Sequence, residues 1–333
     1  NLRRITMKVF LALAIASPVW CFLPPSIQHR SVLRVADGDY PSDSDYGADD
    51  SNAIQDAYVV QSLETIKESL LALAAFTARG EAASLEEKVM GRNLVRDLED
   101  MNPTESPARS AQGTWELVWS DTQLFRSSPF FMAGRAVCTE EQAKQYDWFC
   151  DMHRAALAMS NIRRVRQIVS ATQVVSEFEV AAGAIPFLGS LPFLNDYGGG
   201  LPVAVTGAIV STADIQATTD DGAGWELLMD TVEIKGSNVP LLRTALGAGL
   251  KLESRSLGSV LESTFPDQYT NPKPVFTTTY LDKQLRVSRD QDGKMFVYSK
   301  VSSSTEPSDF SDIAADLGLG AFVVAAQELF TSP

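Results

Sequence analysis

The stretch Gly113–Ser120, GTWELVWS, sets Trp115, Leu117 and Trp119 on one side of an extended chain and Glu116 and Val118 on the other. Side chains of a strand alternate between faces, so this pattern predicts a half-buried β-strand. The same spacing recurs over Thr172–Ala181, where Val174, Phe178 and Val180 oppose Glu177 and Glu179. Trp225–Ile234 begins that way and ends mixed. Three short strands are expected at Phe276–Asp282, Leu285–Arg289 and Lys294–Ser299, the last two joined by a turn at Asp290–Gly293. Several antiparallel strands with one apolar face must hide both that face and their edges, and closing into a barrel does both. The expected fold is mainly β with added α, an antiparallel barrel spanning 113–300.

Helical periodicity precedes the strands. Leu63, Ile66, Leu70, Leu73 and Ala74 share one face of a first helix, and Gly80 sits where it should end. Ser84 with Glu87 forms a capping box for a second helix, with Leu94, Leu98 and Met101 on its apolar stripe. Asn102-Pro103 stops it, because proline pushes the preceding residue out of helical geometry. Residues 52–102 thus predict a helical hairpin that must bury one face. Thr139 with Gln142 opens another helix running to about Met159, and a last one is expected at 311–329.

Charge divides the N-terminal region. Residues 1–36 carry five basic and no acidic side chains, and 37–51 is rich in Asp, Ser and Gly and reads as an acidic disordered linker. Met7 is the candidate initiator. The run Val9–Ala16, broken by Pro18, is too short for a membrane span and has the form of a signal peptide. Phe22 and an acid-poor basic stretch come after it. This arrangement resembles the two-part leader that directs proteins into secondary plastids of algae; plain secretion is the alternative. Three cysteines do not suggest a stapled secreted fold. The net charge of −14 argues against nucleic acid, whose phosphates need a basic face.

Two segments carry a family resemblance. The first is LLALAAFTARGEAASLEE with LVRDLEDMNPTESPARSAQGTWELVWS, within Leu70–Ser120. The second is TTTYLDKQLRVSRDQDGKMFV, Thr277–Val297. In sequence and order they resemble the plastid lipid-associated proteins, or plastid fibrillins. The region 125–270 is similar only in general strand character. The resemblance implies a lipocalin-like barrel with the helical hairpin packed outside. It also implies association with plastoglobules or thylakoids, a prenyl-quinone, carotenoid or acyl lipid as ligand, and no enzymatic activity or cofactor. A scaffold for a prenyl-lipid enzyme or photosynthetic complex, its barrel filled by its own side chains, is the rival. An enzyme resembling the lipocalin-type xanthophyll de-epoxidases is a third reading, weakened by the low cysteine count.

The strands and loops also offer candidate site residues. Trp115, Phe178, Trp225 and Tyr280 are aromatic strand positions, either plain core or the lining of a ligand cavity. Arg286 either pairs with Asp282 to pin the last hairpin or points inward to hold a polar ligand head. Gly113, Asp282 and Arg289 are motif positions read as structural. Gly183–Gly200 places Phe187, Leu188, Leu191, Phe193 and Leu194 among Pro and Gly, too apolar for an ordinary exposed loop. It reads as a lid, a lipid-contacting loop or a packed connection, with Ser127–Met132 a smaller segment of the same kind. Cys138, Cys150 and His153 invite a metal. Along one helix, however, Cys138 and Cys150 would lie ~18 Å apart, too far for a shared zinc or a disulfide. Motifs for nucleophilic, nucleotide or metal catalysis are absent.

Overall fold

The strands close on themselves. The computed structural model describes residues 48–156, 160–182, 205–237, 251–264 and 270–310. Among them are nine strands: β1 (Gly113–Ser120), β2 (Ser160–Val169), β3 (Gln173–Ala182), β4 (Val205–Thr218), β5 (Gly224–Lys235), β6 (Lys251–Glu253), β7 (Val275–Leu281), β8 (Leu285–Arg289) and β9 (Met295–Ser302). The order β4-β3-β2-β1-β9-β8-β7-β5, together with pairing between β4 and β5, makes an eight-stranded antiparallel ring. β6 stands outside it, beside β7 on one edge of β5, where Gly224–Glu226 meet β7 and Thr231–Glu233 meet β6. Each strand of the ring has a partner on both sides, though β1 meets β2 only through Gly113–Glu116 and β5 meets β7 only through Gly224–Glu226.

Two helices, α1 (Ala48–Phe76) and α2 (Leu85–Asp100), contact each other and cover one outer face of the ring. α1 begins inside the stretch read as linker. Leu70, Ala74, Val95 and Leu98 from the helices pack on Trp119, Tyr280, Leu285, Val287, Met295 and Val297 from the strands. The capping box of α2 is complete: the Glu87 backbone N–H donates to Ser84 Oγ (3.2 Å) and the Ser84 N–H to the Glu87 carboxylate (2.7 Å). Between the helices, Ala78, Arg79 and Gly80 all take positive φ. Thr77 Oγ1 accepts from the Gly80 N–H (3.1 Å), and the Ser120 N–H donates to the Arg79 carbonyl (3.1 Å), so this turn is seated on the end of β1.

Two aromatic side chains depart from simple alternation. Alternation puts Trp119 beside Trp115 and Leu117, but it lies outside under the helices. A register shift between Leu117 and Trp119 turns it over. Alternation likewise puts Tyr280 inside with Phe276, and a second shift between Thr278 and Tyr280 turns it out to the helices. A bulge adds one residue to one strand and so reverses the facing of the residues beyond it.

One end of the ring is filled by the connection after β1. It contains a 3-10 turn (Leu124–Ser127), α3 (Pro129–Ala136), a second 3-10 turn (Glu140–Gln142) and α4 (Ala143–Ala156). Phe125, Phe131, Met132, Tyr146 and Phe149 join Trp115, Val165, Phe178, Trp225, Phe276 and Phe296 in one buried cluster. Ser127–Met132, read as a lid, a lipid contact or a packed connection, is packed and forms a plug: Ser128 Oγ and Ser211 Oγ of β4 are 2.7 Å apart, and Phe131 and Met132 are buried. A further helix, α5 (Ser254–Thr264), lies against β5. The leader, most of the linker, the Gly183–Gly200 segment and the helix expected at 311–329 lie outside the described residues.

Candidate functional site

β8 has an unusual polarity. Its apolar residues Leu285 and Val287 face outward to the helices, which turns Arg286 and Ser288 into the ring. Arg286 is completely buried. Its guanidinium carbon lies 4.2 Å from the Tyr298 ring centre, 5.2 Å from that of Trp115 and 6.0 Å from that of Trp225. Nη2 donates to Gln167 Oε1, and Gln167 Nε2 in turn donates to the Ser127 carbonyl of the plug (3.4 Å). Nε and Nη1 of Arg286 and the Tyr298 hydroxyl have no well-formed hydrogen bond among the described residues.

The electrostatics are one-sided. Arg286 makes no ion pair with any described residue, and burial pulls its pKa down to about 10. Burial pushes the Tyr298 hydroxyl up to about 12, against the pull of the guanidinium. Lys300 adds a second cation: its Nζ is 4.2 Å from the Trp115 ring centre and donates to the Gln112 carbonyl. Burial and then Arg286 hold the Lys300 pKa below its usual value. Trp115 is thus flanked by two cations, with its indole N–H fixed on the Ala111 carbonyl at 2.8 Å.

The expected pairing of Asp282 with Arg286 does not form. Asp282 lies on the helix side and binds Lys67, the Tyr280 hydroxyl (2.7 Å) and the backbone N–H groups of Gln284 (2.8 Å) and Leu285 (2.7 Å). Arg289 also faces the helices, its Nε and Nη2 donating to the two Glu99 oxygens at 2.7 and 2.6 Å. Asn102 Oδ1 accepts from the Leu281 N–H (3.1 Å), and Thr104 Oγ1 donates to the Leu281 carbonyl (2.6 Å). Gly113 takes φ +122, and a Cβ there would strike Lys300 and the Ser302 carbonyl. Trp115, Phe178 and Trp225 do lie in the interior cluster. Phe187, Leu188, Leu191, Phe193 and Leu194 lie outside the described residues.

Gln167 and Tyr298 were missed. Tyr298 follows Phe296 at strand spacing, which was a usable signal; Gln167 lies in a strand whose charged outer face obscured it. The plug's fastening was missed too. Arg126, nearly fully buried, reaches Asp147 (2.8 Å) and Asp292 (3.1 Å), while Arg135 reaches Asp292 (2.9 Å) and Glu140 (3.2 Å). The turn joining β8 to β9 therefore holds the plug. Replacing Asp292 with alanine removes the acceptor shared by two buried guanidiniums. Faster amide hydrogen exchange across residues 124–136 is expected, with slow exchange retained in β8; unchanged exchange in the plug would refute the latch.

No group of three or more His, Cys, Asp or Glu side chains could hold a metal among the described residues, and Cys138 and Cys150 are free thiols. His153 is packed against Phe125, Phe131 and Phe149, and burial lowers its pKa to about 4. It stays neutral at physiological pH and is placed as core.

The profile of the PAP_fibrillin family matches residues 64–299, running from α1 through β9. The chain belongs to that family, the plastid lipid-associated proteins or fibrillins. The match spans both motif segments and the intervening strands. The contacts explain the motifs: Glu99 and Asn102 of the first dock on Arg289 and Leu281 of the second. Members of this fibrillin family are plastid-associated, and lipid association is the general property of the group. No curated protein and no solved structure matches the chain.

Proposed function

We propose that this fibrillin is a non-enzymatic carrier that holds a hydrophobic small molecule in a lipocalin-like barrel and docks on plastid lipid surfaces. The carrying observation is the Arg286 guanidinium, buried with two nitrogens unpartnered among the described residues and ringed by Trp115, Trp225 and Tyr298. Buried polar groups are almost always hydrogen-bonded, so donors left without a well-formed partner among aromatic side chains suit the polar head of a guest. Its apolar remainder, a prenyl or acyl chain, would gain ~25 cal/mol for each Å2 removed from water, several kcal/mol before association entropy is subtracted. The helical hairpin lies outside the ring in this reading. The leader in residues 1–36 would take the protein to the plastid, and plastoglobules or thylakoids would be its surfaces.

Native mass spectrometry of the protein after exposure to a plastid lipid extract tests the carrier reading. A bound lipid-sized adduct that survives mild activation is the expected result, and an unliganded spectrum opposes it. Deleting Phe187–Leu194 should lower co-flotation with liposomes; unchanged flotation would retire that segment as the membrane contact.

One observation favours a scaffold instead. Trp225 and Phe276 centre 6.4 Å apart, and Phe276 and Phe296 6.1 Å apart, so aromatic side chains already meet across the interior. A scaffold predicts a stable heteromeric complex on gel filtration and no extractable lipid.

A further inference from the structure

We infer that the barrel interior around Arg286 takes a carboxylate, so that the guest is a free long-chain carboxylic acid rather than a neutral quinone, carotenoid or ester. The inference rests on the carrier reading and narrows its ligand class. A guanidinium offers five N–H donors. Here Gln167 supplies the well-formed acceptor, on Nη2, and the Tyr298 hydroxyl a looser one, while Nη1 and Nε have no bond of good geometry among the described residues. A guanidinium carries its N–H donors in a planar fork, the geometry that a carboxylate fills with two parallel hydrogen bonds. The Tyr298 hydroxyl, which interacts loosely with the guanidinium and with Ser127, can turn to donate a further bond to the same head.

Charge separates the candidates more sharply than hydrogen bonds do. A quinone oxygen or an ester carbonyl would satisfy an N–H group but leave the cation uncompensated. An ion taken out of water without a counter-charge is strongly disfavoured, and the faces of three rings offset only part of that. Lys300, also over the Trp115 ring, makes the field more positive, and no described carboxylate pairs with Arg286. The acidic groups nearest in sequence are engaged elsewhere: Asp282 with Lys67, Asp290 with Arg126, and Asp292 with Arg126 and Arg135. An anionic head neutralises the site, and the tail then lies along Trp225, Phe276 and Phe178, all within the same apolar cluster.

The test compares three chain-matched probes, oleate, methyl oleate and oleyl alcohol, each delivered from cyclodextrin to the full chain at pH 8 and followed by calorimetry. Oleate is expected to bind roughly 30-fold or more tightly than either neutral probe, the scale seen when one partner of a buried charge pair is lost. Arg286→Met should abolish that preference, bringing oleate down to the affinity of the neutral probes, and Arg286→Lys should keep part of it. Equal binding of all three probes by the unaltered protein overturns the carboxylate assignment and leaves the carrier standing. Binding of none overturns both. Should the methionine variant fail to fold, the selectivity of the unaltered chain and of the lysine variant decides.

Discussion

Replacing Gly80 with alanine is expected to destabilise the protein by on the order of 3 kcal/mol. Two costs combine at this position. Gly80 has φ +91, a conformation that a Cβ disfavours, and that Cβ would fall on the Ser120 carbonyl oxygen at the end of β1. Backbone cannot swing aside as a flexible side chain can, so the turn must lift from the strand it caps. Gly293 is the matched control. It has φ +72 with nothing within 4 Å of an added methyl group, so alanine there should cost only the conformational part, about 1 kcal/mol. Urea unfolding of the two variants measures the difference. Equal losses at both sites would show that close seating of the helix turn on β1 contributes nothing.

Removing the Asp282 carboxylate as alanine should cost roughly 3 kcal/mol, with melting lowered by about 10 °C. Lys67 is buried and, among the described residues, would keep only Glu64, at 2.8 Å, as its counter-charge. The N–H groups of Gln284 and Leu285 and the Tyr280 hydroxyl would lose their acceptor as well. Lys67→Met should cost less, because Asp282 keeps its other three donors. The pH dependence has a definite sign. Burial alone would raise the Asp282 pKa, but the bonds from Lys67, Tyr280, Leu285 and Gln284 outweigh it and hold it below the usual value. Its contribution is therefore complete at neutral pH and is lost as pH falls from the ordinary carboxylate range through that lowered value. The alanine variant should show a shallower decline of stability on acidification. A thermal scan series against pH checks this, and parallel curves for the two proteins would contradict it.

Much of the fold was legible because local rules and packing agree. The helical face through Leu70 and Ala74, the Ser84–Glu87 capping box and the strands at 113–120 and 285–289 all lie where periodicity and capping put them. The two misplaced aromatic residues share one cause. Trp119 and Tyr280 sit beyond register shifts, and a bulge leaves no reliable mark in the order of apolar and polar residues. β8 posed the opposite difficulty. Its sequence LRVSR would, by itself, send Leu285 and Val287 into the ring; the helices claim that face, and Arg286 is left to the interior. The spacing of Asp282 and Arg286 suggested a pair, yet the bend between them places the two on opposite sides of the wall. The plug and its latch were not readable, since Arg126, Arg135 and Asp292 meet only after the ring has formed.

β9 lies between β1 and β8, so the first strand waits for the last before it is paired on both sides. A chain growing from its N-terminus must hold β1 with one edge bare until almost all of the barrel has been synthesised. Such long-range closure slows folding and leaves sticky intermediates in the meantime. A fragment ending before Met295 would retain two open strand edges, so loss of that closing strand should yield aggregates rather than a smaller working domain.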